Sequence, residues 1–118
     1  MFATIAKEFT FDAAHFLPKL PADHKCHRMH GHTYRVELVF RGAIDANGFV
    51  LDYAEIAALW APVHEELDHR VLNEIPGLET PSTEVLAWWI AGELRAKEAR
   101  LVAIRVYEST TTWCEVTF

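Results

Sequence analysis

Three histidines carry the strongest chemical signal in this 118-residue sequence. His30 and His32 flank Gly31, and residues two apart in a β-strand point to the same face of a sheet. His15 lies near the end of another predicted strand with the parity to face the same side, and Gly31 leaves room for a chain segment to approach closely. Three imidazoles with one open coordination position are typical of catalytic zinc, because structural sites usually have four protein ligands. We therefore predict that His15, His30 and His32 bind Zn²⁺.

Two further histidines compete for the third ligand position. His24 and His27 lie in the polar loop between the two predicted strands, where geometry is less constrained, and they rank below His15. The alternative to any metal site is a set of scattered histidines with local hydrogen bonds. The His-Gly-His spacing, together with a third histidine one strand away, favours the metal site over that alternative.

Cys26 precedes His30 by four residues and lies beside Lys25 and Arg28. Positive surroundings favour the thiolate form of a cysteine. Such a thiolate can act as a general base or a nucleophile, or it can become a fourth zinc ligand and make the site structural. The residues alone leave these alternatives open. Cys114, in the last predicted strand, is interpreted as a small buried hydrophobic residue.

Two features that contain carboxylates are weaker candidates for the functional site. Asp68 can orient the imidazole of His69 and support its protonated form, which would make the pair an acid/base unit. Adjacent Asp-His pairs are common, and a solvated helix end is the simpler interpretation. Glu108 ends a strand of alternating apolar character and is exposed by default, but in a pocket it can accept two parallel N–H bonds from a guanidine-like edge.

Hydrophobic periodicity predicts the elements that must position these residues. In chain order they are strands at 2–16 and 30–41, a short strand near 49–51, a helix after Asp52, a helix capped by Ser82 or Thr83, and strands near 101–109 and 112–118. Asp52 and Glu55 resemble a capping box, and Pro62 allows a kink or an early end in the first helix. The order is not an alternating βαβ series, so it predicts an α+β fold.

Composition and charge limit the functional classes. The chain is 51% hydrophobic and 24% charged, which suits a single domain over residues 1–118. A net charge of −6 argues against broad binding to nucleic acid or anionic membranes. No apolar run approaches the ~18 residues of a membrane helix, and the first residues do not form a signal peptide. We expect a cytoplasmic protein with free thiols, and oligomerisation commonly stabilises so small a domain.

The segment Cys26-His27-Arg28-Met29-His30-Gly31-His32 resembles the C-x-x-x-H-G-H motif of the 6-pyruvoyl/6-carboxytetrahydropterin synthase family. Its spacing matches the bacterial 6-carboxy branch of queuosine biosynthesis, whereas the animal 6-pyruvoyl branch has a longer gap. Other segments resemble the family in order along the chain: Phe11-Asp12-Ala13-Ala14-His15, Gly48-Phe49-Val50-Leu51-Asp52-Tyr53, Leu67-Asp68-His69, Leu72-Asn73, Pro81-Ser82-Thr83-Glu84 and Glu108-Ser109.

This resemblance implies the tunnelling fold, with an antiparallel four-stranded sheet and two helices on one face. It implies zinc on the three histidines, Cys26 as general base, and Asp68 with His69 as a second acid/base unit contributed by another subunit. Homo-oligomers built from trimers, often stacked as hexamers, follow from the same resemblance.

The resemblance also implies a substrate. Glu108 would bind the 2-amino and ring N–H edge of a pterin, and Ser82 and Thr83, in reversed order relative to the family's usual pair, are candidates for substrate binding. The expected reaction converts 7,8-dihydroneopterin triphosphate to 6-carboxy-5,6,7,8-tetrahydropterin. Candidates for the triphosphate are Lys25, Arg28 and Arg70. The alternatives are a 6-pyruvoyltetrahydropterin synthase and a non-catalytic zinc-binding or pterin-binding module.

Overall fold

Four antiparallel strands form one sheet in the order in which they occur along the chain. A computed structural model describes residues 1–118. Its main elements are β1 (Phe2–His15), β2 (His30–Ala43), α1 (Tyr53–Leu67), α2 (Thr83–Leu94), β3 (Leu101–Tyr107) and β4 (Trp113–Thr117). The α+β prediction, with four antiparallel strands and two helices, is confirmed.

Strands β1 and β2 carry the predicted histidines and form the longest pairing in the sheet. Their side chains alternate in burial, so Phe11 and His15 of β1 face the same interior as Tyr34 of β2. The rings of Phe11 and Tyr34 stack with their centroids 5.0 Å apart. The pairing register places His15 opposite His30 at the end of the two strands.

Both helices cover one face of the sheet, because their buried residues belong to a single cluster with the inward residues of the strands. Helix α1 contacts β1, and α2 contacts β3 and β4. The amphipathic pattern explains this arrangement, since residues three and four apart form one apolar stripe on a helix. The stripes consist of Ile56, Trp60, Val63 and Leu67 in α1 and of Leu86, Ala87, Ile90, Ala91 and Leu94 in α2.

The prediction of a short strand near residues 49–51 is wrong. The Asp45 carboxylate accepts hydrogen bonds from the N–H groups of Asn47 and Phe49, and Gly48 has a positive φ of 89°. These local bonds hold a tight turn, which positive φ at glycine permits. Val50 and Leu51 are buried in the core as loop residues and not as part of a ladder.

Local hydrogen bonds determine where the helices begin. Asp52 caps α1 by accepting from the Ala54 N–H at 2.8 Å, whereas a capping box would use the N–H of Glu55. Ser82 caps α2 by accepting from the Val85 N–H at 3.1 Å.

Two further boundaries differ from the sequence-based prediction. Helix α1 continues through Pro62, since the buried side chains of Val63 and Leu67 hold its last turn against the core. Strands β3 and β4 are shorter than predicted, because the Glu108 N–H donates to the Thr112 carbonyl and residues 108–112 form the connecting turn. No helix of the protein combines the length and the apolar character needed to cross a membrane.

Candidate metal centre and active site

The structure brings His15, His30 and His32 together at the end of the β1–β2 pair. One ligand nitrogen from each side chain lies within 4.8 Å of the other two. The ring centroids are 4.6 to 5.1 Å apart, and the rings meet edge to face. This convergence follows from strand geometry, because His30 and His32 share a face of β2 and the antiparallel register places His15 opposite His30.

Backbone carbonyls orient two of the three imidazoles. His15 donates from Nδ1 to the Pro81 carbonyl at 2.8 Å, and His30 donates from Nδ1 to the Arg28 carbonyl at 2.7 Å. A carbonyl can only accept, so each neutral imidazole carries its lone pair on Nε2. The two Nε2 atoms lie 3.0 Å apart. Two lone pairs at this distance repel each other unless a cation lies between them, so the donor set fits a divalent metal ion.

Burial helps to keep the imidazoles of His15 and His32 neutral, which is the form that binds metals. His15 is only 1% exposed, and burial lowers the pKa of its imidazole, although the hydrogen bond to the Pro81 carbonyl opposes the shift. Burial also lowers the pKa of His32, although the nearby Glu108 carboxylate opposes the shift. The hydroxyl of buried Tyr34 lies 3.3 Å from Nδ1 of His15. Burial raises the pKa of that phenol, so it stays protonated.

A cavity of about 350 Å³ joins the histidines to two other predicted site residues. Cys26 and Glu108 both line it, although they are separated by most of the chain. Lys25 lines the same cavity, and the complete lining set is His15, Leu17, Lys25, Cys26, His30, His32 and Glu108. A metal-binding group, a thiol, a carboxylate and a cation therefore surround one space of the size of a small organic substrate.

The competing ligands lie outside the group of converging nitrogens. The three-nitrogen group contains neither His24 nor His27 nor Cys26. Nδ1 of His27 donates to the Leu20 carbonyl at 3.0 Å, and Nδ1 of His24 accepts the Cys26 N–H at 3.0 Å. These bonds lie within the loop between β1 and β2.

Gly31 does not have the steric role expected for it. A Cβ at this position would lie 3.5 Å from the Ala13 carbonyl oxygen, which is ordinary van der Waals contact. The neighbouring strand is at normal pairing distance, so within this chain no segment approaches closely enough to require glycine.

Asp68 and His69 form a pair that is attached to the edge of β1. Asp68 Oδ2 lies 2.9 Å from Nδ1 of His69, and Asp68 Oδ1 accepts the Asp12 N–H at 3.0 Å. His69 donates its own N–H to the Asp12 carbonyl and has a positive φ of 59°. A non-glycine residue in this conformation is strained and is retained where surrounding bonds determine it. The pair is thus held by the sheet, in contrast to a free helix end.

Asp68 and His69 shift each other's pKa in opposite directions. The Asp12 N–H, followed by His69, lowers the pKa of the Asp68 carboxyl. The Asp68 carboxylate raises the pKa of the His69 imidazole through their hydrogen bond. His69 is mostly exposed, so solvent weakens the interaction. The imidazole nevertheless retains its proton to a higher pH than a free histidine.

The structure separates the Asp68–His69 pair from the thiol. His69 and Arg70 line a second cavity of about 500 Å³, which also includes His32 but not Cys26 or Glu108. Within one chain, Cys26 and His69 therefore line two different cavities, and Asp68 lines neither of them. Of the triphosphate candidates, Lys25 lines the first cavity and Arg70 the second, while Arg28 lines neither.

Ser82 and Thr83 line neither of these cavities. The Ser82 hydroxyl caps α2, and the Thr83 hydroxyl donates to Glu84 at 2.6 Å. The preceding residue, Pro81, instead contacts the metal centre through its carbonyl. Sequence reasoning missed Pro81 because any residue can supply a carbonyl. It also missed Tyr34, whose aromatic ring was interpreted only as a strand residue.

Comparisons with known proteins agree on one family. The model of the 6-pyruvoyl tetrahydropterin synthase family matches residues 4–117. The 6-carboxy-5,6,7,8-tetrahydropterin synthase of Synechocystis is 36% identical over 115 residues, covering 92% of this chain and 88% of that protein. The dihydroneopterin monophosphate aldolase of Pyrococcus furiosus is 38% identical over 95 residues, covering 80% and 77%. The solved structure of Caenorhabditis elegans 6-pyruvoyl tetrahydropterin synthase has a TM-score of 0.91 at 24% identity, covering 100% and 96%.

Proposed function

Since this chain belongs to the 6-pyruvoyl tetrahydropterin synthase family, we propose that it is a zinc-dependent lyase of 7,8-dihydroneopterin triphosphate. With the consumption of one water, its products would be 6-carboxy-5,6,7,8-tetrahydropterin, acetaldehyde and triphosphate. The 36% identical Synechocystis protein, named for the 6-carboxy product, supports this choice. So does the four-residue step from Cys26 to His30, which resembles the 6-carboxy branch. The proposal includes a role in queuosine biosynthesis and a cytoplasmic location.

The observation that carries the proposal is the cavity that Cys26 and Glu108 share with the three histidines. Each group has a distinct chemical capacity. Three neutral imidazoles bind a metal, a thiol exchanges a proton, and a carboxylate accepts two N–H bonds from the edge of a pterin. A site that only stabilised the fold would use a fourth protein ligand and would need no such cavity.

His15, His30 and His32 would hold the metal through one nitrogen each. When bound there, zinc would supply a Lewis acid, which makes a C–H bond next to a polarised oxygen more acidic. The carbonyls of Pro81 and Arg28 keep two of the ligand rings in their orientation.

Side chains of the protein would carry out proton transfer and hold the pterin ring. Cys26, as thiolate, would remove a proton from the substrate side chain that lies in the cavity it lines with the three histidines. Glu108 would hold the pterin ring, so that the side chain of the substrate lies next to the thiol. His69, protonated through Asp68, would return a proton from the opposite side.

Proton transfer by both Cys26 and His69 requires a second subunit. His69, which Asp68 orients, lines a different cavity from Cys26 within one chain. We therefore propose that the enzyme is a homo-oligomer based on trimers, in which one chain supplies the thiol and its neighbour supplies the imidazole.

The first prediction tests the reaction and the role of Cys26. Mass spectrometry of products formed from 7,8-dihydroneopterin triphosphate by the zinc-loaded protein should detect 6-carboxytetrahydropterin and acetaldehyde. Cys26→Ala should retain zinc and pterin binding but lose about 10²-fold or more in kcat, since general-base catalysis typically contributes 10²–10⁴.

Cys114→Ala is the matched control, because this half-buried thiol packs against the core and burial raises its pKa. It should turn over like the wild type. Normal turnover by Cys26→Ala would remove this thiol from the mechanism. A 6-pyruvoyl product would instead identify a 6-pyruvoyltetrahydropterin synthase.

A second candidate function is aldol cleavage of dihydroneopterin monophosphate, favoured by the 38% identity to the Pyrococcus furiosus aldolase. Incubation with the monophosphate, followed by the same product analysis, distinguishes the two activities. Turnover of neither phosphate ester, with intact pterin binding, would support a non-catalytic module.

A further inference from the structure

The loop between β1 and β2 holds Cys26 through both of its main-chain polar groups. The Leu17 N–H donates to the Cys26 carbonyl at 2.8 Å, and the Cys26 N–H donates to Nδ1 of His24 at 3.0 Å. We propose that His24 is the positioning residue of the thiol and acts through this acceptor bond. The inference rests on the proposed function, in which Cys26 transfers the proton.

The bond to Cys26 requires a particular tautomer of His24. An amide N–H can only donate, so Nδ1 of His24 must carry a lone pair, and a neutral ring then has its proton on Nε2. His15, His30 and His27 have the opposite arrangement, because their Nδ1 atoms face backbone carbonyls. The hydrogen bond at Nδ1 therefore distinguishes His24 from these three histidines.

The geometry of His24 is that of an Asx-turn, in which a side-chain acceptor binds the N–H two residues on. His24 has extended backbone angles, with φ −71° and ψ 137°, and caps the short 3₁₀ turn Lys25–His27. Asparagine and aspartate usually fill this position, since their short side chains place an oxygen where Nδ1 lies here. Histidine thus performs the capping function of asparagine.

This cap affects the thiol because Cys26 lies inside the capped turn. The Cys26 N–H bond to His24 and the Leu17 N–H bond to the Cys26 carbonyl hold the backbone of Cys26 on both sides of its Cα, and they thereby set the direction of its Cα–Cβ bond. His24 itself is exposed and does not line the cavity. It therefore acts on the reaction through Cys26 and not by touching the substrate.

Two substitutions distinguish the effect of the acceptor atom from the effect of the histidine side chain as a whole. His24→Asn places Oδ1 at the position of Nδ1, whereas His24→Gln moves the acceptor one bond farther away. In the zinc-loaded protein, His24→Gln should lower kcat for 7,8-dihydroneopterin triphosphate by about tenfold, the upper range for one lost hydrogen bond. KM and zinc affinity should stay unchanged, and His24→Asn should retain at least half of the wild-type kcat. Asp23→Asn, at the neighbouring exposed position, should behave like the wild type.

The Cys26→Ala background shows whether His24 acts through the thiol. There, adding His24→Gln should cause no further loss, because the group that it positions is absent. A further tenfold loss, or equal activities of the Asn and Gln variants, would overturn the proposal.

A measurement without turnover distinguishes this inference from the proposed function. The Cys26 amide should exchange with deuterium about tenfold faster in His24→Gln than in the wild type or His24→Asn, and ¹⁵N NMR should find His24 protonated on Nε2. Equal exchange rates, or a proton on Nδ1, would refute the positioning role even if the enzyme is active. If NMR and exchange give the expected results but Cys26→Ala is active, the hydrogen bond from Cys26 to His24 is confirmed and Cys26 is refuted as the general base.

Discussion

At the scale of single residues, the hydrogen bond made by Nδ1 determines what each histidine can do. His15 and His30 donate from Nδ1 to carbonyls and direct Nε2 toward each other, which suits a metal ion. His24 accepts at Nδ1 and holds a loop. His69 directs Nδ1 at a carboxylate, which supports its protonated form. Four chemically equivalent side chains thus have three roles, because their acceptor and donor partners differ.

The second prediction concerns Tyr34, whose hydroxyl lies 3.3 Å from Nδ1 of His15. Tyr34→Phe retains the stacked ring but removes a buried polar neighbour of this imidazole. We expect zinc to bind roughly 3- to 10-fold more weakly. Loss of a hydrogen-bond partner of a metal ligand typically weakens metal binding by about 10- to 100-fold, so the expected effect lies at or below the low end of that range. Chelator competition measures this affinity. Tyr53→Phe, at an exposed position, is the control, and equal zinc affinities of the two variants would contradict the prediction.

The third prediction concerns the pH dependence of the Asp68–His69 pair. The carboxylate raises the pKa of His69, so replacing it with a neutral amide in Asp68→Asn should lower that pKa toward the ordinary value of about 6.5. An NMR titration of the imidazole measures the shift directly. If His69 serves as the acid, the rate falls as pH rises through this pKa. The fall should therefore occur at lower pH in the variant, and an unchanged pH profile would argue against His69 as the acid.

At the scale of secondary-structure elements, three segments converge on the metal centre. The β1–β2 pair carries the three candidate ligands, the segment after α1 attaches His69 to the edge of β1, and the segment before α2 supplies the Pro81 carbonyl. The connection to α2 means that the start of this helix is mechanically linked to a metal ligand. Stability of the helix cap and metal affinity should therefore change together.

The fourth prediction tests that link with Ser82→Ala. Loss of the cap bond to Val85 should destabilise the apo-protein by about 1 kcal/mol, as measured by urea unfolding. Zinc affinity should also fall, because a frayed helix start moves the Pro81 carbonyl away from His15. Thr83→Ala, at the first helical position, should change the unfolding free energy by less than about 0.5 kcal/mol. A larger effect of Thr83→Ala than of Ser82→Ala would reverse the assignment of the cap.

At the scale of the whole molecule, the sheet has two outer strands, and Cys26 and His69 line two separate cavities. β1 and β4 are the outer strands of the sheet, and outer strands offer unpaired N–H and C=O groups to another chain. Only the last part of β1 is covered, by the segment that carries His69. An assembly of identical chains could pair these edges and bring the thiol of one chain to the imidazole of the next.

The fifth prediction tests this sharing of sites. Cys26→Ala and His69→Ala should each be nearly inactive alone, but subunits mixed in equal amounts by co-refolding should recover about one quarter of wild-type activity, since each random interface needs one intact group from each side. Light scattering should give a mass that is a multiple of three chains. No recovery in mixed oligomers of confirmed composition would indicate that both groups act within one chain.

The sequence by itself determined the features that depend on neighbouring residues. The His-Gly-His pair shares a face because alternation in a strand follows from backbone geometry. The helix stripes and the polar cap positions were also predictable, since they depend on residues within one or two turns. The α+β class followed from the order of these elements.

Only the tertiary structure decided what lies across long separations in the chain. Pro81 is 66 residues from His15, yet its carbonyl orients that ring. The positive φ of His69 depends on its bond to Asp12 in β1, and the two cavities depend on how β1 and β2 meet. Local propensity cannot encode such contacts, because they form only when packing of the core brings distant backbone groups together. The sequence therefore indicated which three histidines lie together, whereas the orientation of their rings was decided by the tertiary structure.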